Sequence, residues 1–258
     1  MISKRVIVGG PPRTGTSLLR VLIDSSPMMM ALSETGFFLR PFDYRKRRKE
    51  RSAERLDRAM GLGVETISKI FDKHVDAIAC FDELMELVMA RDGMRKTGWA
   101  EKTPRNCEHY RELGSAYPDL YFVSMIRNGK DVVTSVVDGR DHYHCPVDRY
   151  CQAMEAVFAF NSPRHMIVRY EDLVADPETV LKRIFNHIDE PYDPGILVRY
   201  REKARTRDPS SMNQPRVFDS ISNATVERWR QPEHAKRIAE FDASPEARRW
   251  NERAGYAD

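Results

Sequence analysis

Short apolar runs recur along the chain, and most are followed by a stretch with helical spacing. Val6, Ile7 and Val8 form a continuous β-branched run, as expected of a strand buried on both faces of a parallel sheet. Leu18, Leu19, Leu22 and Ile23 then repeat at the three-and-four spacing of a helix with one apolar face. The same reading predicts strands at Arg5–Gly9, Met28–Leu32, Gly98–Lys102, Leu120–Ile126 and His165–Arg169. Strands alternating with helices imply a three-layer α/β/α fold with a central parallel sheet. Ligands in such folds sit at the C-terminal edge of the strands. Residues 43–96 break the alternation. Helical spacing at Ile67, Ile70, Phe71, Val75 and Ile78 predicts a helical insertion over that edge. No internal repeat or low-complexity linker divides the chain, so one domain over residues 1–258 is expected.

The connection after the first strand carries the first chemistry. Residues 9–19 read G-G-P-P-R-T-G-T-S-L-L, a glycine-bearing turn opening a helix. Free N–H groups of a helix's first turn point into such a turn and make an anion cradle. Against the nucleotide-binding pattern G-x-x-x-x-G-K-S/T, Gly10, Gly15 and Ser17 fit, but Thr16 stands at the lysine. That lysine normally serves the β- and γ-phosphates of a nucleoside triphosphate. The cation here is Arg13, early in the loop. The loop thus suits a phosphate-like group and is poorly equipped for ATP hydrolysis.

A second strand–turn–helix unit reads D-L-Y-F-V-S-M-I-R-N-G-K-D-V-V-T-S over residues 119–135. Arg127 ends the strand, and Ser135 follows eight residues later, about two helical turns on. A guanidinium fork and a hydroxyl held together suit a terminal phosphate. Taken together, the two units resemble the phosphate sites of sulfotransferases that use 3′-phosphoadenosine 5′-phosphosulfate (PAPS), which have a P-loop-like fold. The resemblance assigns Arg13, Thr14, Gly15, Thr16 and Ser17 to the 5′-phosphosulfate, and Arg127 and Ser135 to the 3′-phosphate. Gly129 stands where relatives often carry proline. The resemblance extends to Trp99–Asn106, similar to an E-K-T-P strand end, and to the Y-E-D-L segment beginning at Tyr170. It thins after about residue 190, where Val226–Gln231 is similar to a C-terminal R-W element. This implies Trp229 on the adenine and Arg228 or Arg230 near the 3′-phosphate, with core packing and solvent exposure as equal alternatives.

The family chemistry implied is in-line transfer of a sulfuryl group, with PAP as the product and no metal. Such a reaction needs charge stabilisation and positioning more than a covalent nucleophile. Arg13 suits charge on the leaving phosphate, although arginine is a poor proton donor. Lys102 supplies a proton or binds a sulfuryl oxygen. Glu34, in L-S-E-T-G-F-F, resembles the catalytic glutamate region of carbohydrate sulfotransferases and is the expected base. Phe37 and Phe38 are expected to desolvate it. His142 and His144 are the competing bases. The D-H-Y-H-C run holding them has no second half-site for zinc. The acceptor expected is a carbohydrate, glycolipid or other small hydroxylated metabolite, less readily an amine.

Composition narrows the setting. A net charge of +3 over 258 residues gives no bulk signal for nucleic acid. No apolar run reaches the roughly 18 residues of a membrane span. With a strand predicted almost at the N-terminus, the expectation is a soluble cytoplasmic enzyme of bacterial type. Cys80, Cys107, Cys145 and Cys151 show no metal spacing and read as free thiols, with a Cys145–Cys151 bridge as the lesser alternative. The basic run 45–51 reads first as a solvated helix face, with an anionic saccharide, an acidic protein or a lipid headgroup at a membrane surface as the functional alternative. Two further readings compete with the transferase: a kinase-like enzyme using ATP and magnesium, and a non-catalytic module holding PAP or another anion.

Overall fold

The computed structural model describes residues 2–39, 49–136, 142–206 and 221–256. Strands β1 (Lys4–Gly9), β2 (Met29–Met30), β3 (Gly98–Lys102), β4 (Tyr121–Ile126) and β5 (His165–Arg169) form one sheet in the order β2-β3-β1-β4-β5. All pairings are parallel, with Val6 opposite both Ala100 and Tyr121. Each predicted strand is present, but β2 is shorter than the expected Met28–Leu32. That stretch has no β-branched residue, and the Ala31 N–H turns to the Asp24 carboxylate at 3.0 Å.

The helices along the chain are α1 (Thr16–Asp24), α2 (Lys49–Met60), α3 (Val64–Lys73), α4 (Ala77–Arg91), α5 (Tyr110–Ala116) and α6 (Gly129–Val133). After them come α7 (Val147–Ala159), α8 (Tyr170–Ala175), α9 (Pro177–His187), α10 (Ile196–Thr206), α11 (Ala235–Asp242) and α12 (Pro245–Arg253). Successive side chains of a strand point to opposite faces, so β1 feeds two cores. Val6 and Val8 join Leu19 and Leu22 of α1 with Leu181 and Phe185 of α9. Ile7 joins the opposite core, where Phe38, Phe71, Phe81 and Trp99 cluster with Tyr150 and Trp250.

The insertion forms the helices α2 to α4, which close this second face. Ile67, Ile70, Phe71 and Ile78 are buried as expected, whereas Val75 is 79% exposed. It lies in the turn after α3, where His74 takes an extended conformation. Residues 45–48 of the basic run lie outside the described residues, and Arg51 is exposed.

Helix α6 also differs from expectation, ending before Ser135. The Thr134 hydroxyl bonds back to the Lys130 carbonyl at 2.7 Å, and the chain leaves through an antiparallel bridge between Val136 and Tyr143. All four cysteines are buried free thiols, Cys145 and Cys151 included. Burial pushes the Cys107 and Cys145 thiols up to about 12, which leaves them protonated and unreactive. Among the described residues, no helix is long and apolar enough to cross a membrane.

Candidate functional site

The neighbours of β1 in the sheet are β3 on one side and β4 on the other. A crevice opens at the C-terminal edge where an open sheet reverses its strand order, and the β1–α1 loop lies there. Lys102 ends β3 and Arg127 follows β4, so sheet topology brings the dispersed motifs together.

Three left-handed residues shape the loop: Gly10 (φ 132°), Arg13 (φ 71°) and Gly15 (φ 87°). A Cβ on Gly10 would stand 2.2 Å from the Met125 carbonyl oxygen, and one on Gly15 would stand 2.4 Å from the Tyr170 ring. Glycine is therefore required at both positions. Gly15 is also the N-cap of α1, so no side chain caps the first turn. The Thr14 side chain is wholly buried and donates to the Pro11 carbonyl at 2.7 Å, leaving only its main chain for a ligand. Thr16 is buried and Ser17 half-buried.

Lys102 is the hub of one half of the site. Its side chain is 3% exposed, and Nζ donates to Glu34 Oε1 at 2.7 Å and Ser17 Oγ at 3.1 Å. Burial lowers its pKa, against the opposing pull of Glu34. Glu34 itself is 43% exposed and accessible to an acceptor. Phe37 and Phe38 do not surround it, contrary to expectation. They pack into the core instead, Phe38 stacked on Trp99 at 5.8 Å and Phe37 against Phe81 at 5.0 Å. Neighbouring Glu101 is 2% exposed and fixes the loop that carries Glu34. Its Oε1 accepts from the Thr35 and Thr103 hydroxyls at 2.7 and 2.8 Å, and its Oε2 from Asn106 at 2.5 Å.

The other half centres on two arginines. Arg13 Nε donates to Ser135 Oγ at 2.8 Å, so the residues expected at opposite phosphates of the nucleotide touch directly. Arg127 Nη1 reaches the Arg13 carbonyl at 3.5 Å, and its guanidinium lies 4.5 Å from the centroid of the Tyr170 ring. Arg127 also pairs with Asp131 at 3.3 Å and donates to the Thr225 carbonyl. Its Nε is buried without a hydrogen-bond partner among the described residues.

Residues 221–230 cross this half as a strap. Asp131 accepts from the main-chain N–H of Glu227 at 2.9 Å and of Trp229 at 3.2 Å, and Tyr170 meets Thr225 hydroxyl to hydroxyl at 2.7 Å. Trp229 is half-buried between Lys130 and Arg230, 4.8 and 4.3 Å from its ring centroid, with Nε1 buried and unpartnered among the described residues. Arg228 is half-buried and Arg230 exposed. Two orphaned donors at the expected nucleotide site, beside the uncapped turn, fit an anionic ligand that would complete them.

His142 is exposed, while the main-chain N–H of His144 bonds the Ser135 carbonyl at 3.1 Å. Among the described residues, no group of three His, Cys, Asp or Glu side chains is placed to hold a metal. Glu101, Asp131, Tyr170 and Arg55 are the residues that the sequence reading did not single out. Arg55 of α2 lays its guanidinium over Gly36, two residues from Glu34. In each case the missing signal is a tertiary contact, although Glu101 lies in the E-K-T-P stretch, Asp131 in the 119–135 unit and Tyr170 in the Y-E-D-L segment.

The profile described as the Sulfotransferase family matches residues 5–194. Protein-tyrosine sulfotransferase A of Caenorhabditis elegans is 27% identical over 231 residues, covering 84% of this chain and 57% of that protein. Protein-tyrosine sulfotransferase of Drosophila melanogaster is 25% identical over 206 residues, covering 74% of this chain and 39% of that protein. The chain thus spans about half the length of these relatives. In fold it resembles the sulfotransferase domain from the Synechococcus PCC 7002 olefin synthase, with TM-score 0.69, 17% identity, and coverage of 99% of this chain and 95% of that one. The sulfotransferase domain from the curacin biosynthetic pathway gives TM-score 0.61 at 14% identity, covering 100% of this chain and 99% of that one.

Proposed function

The chain belongs to the sulfotransferase family, and from that premise we propose that it transfers the sulfuryl group of PAPS to an acceptor hydroxyl. One observation carries the reading: the Glu34–Lys102 pair, 2.7 Å apart, is tied through Ser17 to the helix that opens the anion loop. A base and a proton donor are thereby held at the mouth of a phosphate-shaped turn.

The bound donor supplies the sulfuryl group and a phosphate as leaving group. The main chain of Thr14 to Ser17 and the Arg13 guanidinium hold the phosphosulfate end, aiming donors at the charge that develops there. Arg127, Ser135, Arg228 and Trp229 hold the 3′-phosphoadenosine end. Lys102 donates a hydrogen bond, and its lowered pKa makes it a better proton donor than a surface lysine. Glu34, the more exposed partner, takes the acceptor's hydroxyl proton. Glu101 fixes the loop that aims it.

Two acceptor classes follow from different observations. The E-K-T-P and Glu34 motifs resemble those of carbohydrate sulfotransferases, favouring a carbohydrate, glycolipid or small metabolite. The curated relatives are named for protein tyrosine, favouring a phenolic hydroxyl. Release of PAP from PAPS with an oligosaccharide, a glycolipid, a simple phenol and a tyrosine peptide separates the two. With whichever acceptor is used, Glu34→Gln is expected to lower turnover by about 100- to 10,000-fold while PAP still binds. Turnover close to that of the unaltered enzyme would remove Glu34 from the mechanism.

A further inference from the structure

We propose that the free edge of the sheet carries a second anion site, separate from the nucleotide loop, for a small ligand with one anionic head and an apolar body. Among the described residues, strand β5 pairs only with β4, so its far side is a sheet edge. A cavity of about 270 Å³ opens there, between α8 and α9 on one face and α7 and α12 on the other. Its walls divide by chemistry: Phe158, Ile167 and Val180 are apolar, and Arg169, Arg183 and Arg253 are cationic. Among the described residues, Asp172 is the one carboxylate on the lining. None of the three guanidiniums forms an ion pair with a carboxylate among the described residues.

Arg169 points most directly to a ligand. Its guanidinium lies 4.2 Å from the centroid of the Tyr256 ring, and its Nε is buried without a hydrogen-bond partner among the described residues. A buried charged donor without an acceptor asks for a missing group. Arg183 and Arg253 are exposed and line the same cavity, Arg253 with its guanidinium 5.0 Å from the Phe158 ring centroid. Guanidinium forks match carboxylate, phosphate and sulfate alike, and the apolar walls suit a ring or short alkyl body. The volume, near the lower limit of ordinary ligand pockets at ~300 Å³, sets the ligand's size.

The test follows the arginine Nε–Hε signals by proton–nitrogen NMR, with the loop first filled by PAP. Benzoate, phenyl phosphate and phenyl sulfate are titrated separately, and their ranking identifies the anionic head. The Arg169 signal, assigned by its disappearance in Arg169→Lys, is expected to shift to saturation. In the double variant Arg183→Glu, Arg253→Glu the apparent affinity is expected to fall at least about tenfold, with PAP affinity unchanged. An Arg169 signal that no probe moves, or a shift that the double variant leaves intact, would overturn the proposal. Since the readout is at Arg169, it holds even if PAP fails to bind the loop.

Discussion

His165 shows how one buried side chain sets a pH response. Its Nδ1 lies 2.9 Å from the Phe160 carbonyl and its Nε2 lies 2.9 Å from Ser124 Oγ. The neutral ring fits both, with Nδ1–H donating and Nε2 accepting from the hydroxyl. Burial lowers the ring's pKa, so the unfolded chain takes up a proton first as pH falls. Its stabilisation is complete above an unfolded pKa of about 6.5 and is lost as pH drops through the lower folded value. Urea midpoints measured from pH 7 to 5 are expected to fall for the unaltered protein. His165→Leu should start about 1–3 kcal/mol lower at pH 7 and fall less steeply. Equal slopes would show that the ring does not titrate in this way. At this scale the sequence was legible where a residue's chemistry is local: Gly10 and Gly15 announce a turn, and Lys102 and Glu34 stand in recognisable motifs. Glu101 shares the E-K-T-P stretch with Lys102 and Asp131 the unit of Arg127 and Ser135, but their burial was not legible, because acidic residues usually face water. They are 2% and 3% exposed because local donors are joined by distant ones, Thr35 at Glu101 and the Glu227 and Trp229 N–H groups at Asp131.

Among the elements, the strap 221–230 depends on a contact that no local pattern encodes. Asp131, on the five-residue helix α6, holds two strap N–H groups and Arg127 at once. Asp131→Asn puts an amide where three donors converge, so the strap should loosen. PAP affinity is expected to fall about tenfold, and limited proteolysis within 221–230 should accelerate, each relative to the unaltered chain. If neither changes, Asp131 does not anchor the strap. The β-branched strands were legible because their composition and burial agree. The methionine-rich β2 was overextended, since its run lacks that preference. Helix α6 was drawn too long because Ser135 was placed by helical spacing, whereas the bridge from Val136 to Tyr143 takes the chain elsewhere.

At the scale of the whole molecule, the order β2-β3-β1-β4-β5 makes residues far apart in sequence share one edge. Arg13 meets Ser135 because β1 neighbours β4, and Lys102 meets Glu34 because β3 neighbours β2. The layer architecture was legible from alternating strands and helices, while the strap's path was not, because it depends on side chains rather than on pattern. The central claim is that this edge binds PAP and not ATP with magnesium. Thermal unfolding with each ligand at matched concentration tests it directly. At about 100 times its dissociation constant, PAP should add roughly 2.7 kcal/mol, a rise in Tm on the order of 5–10 °C, and Arg127→Ala should diminish it. Stabilisation by ATP with magnesium but not by PAP would contradict the account and return the loop to the kinase-like reading.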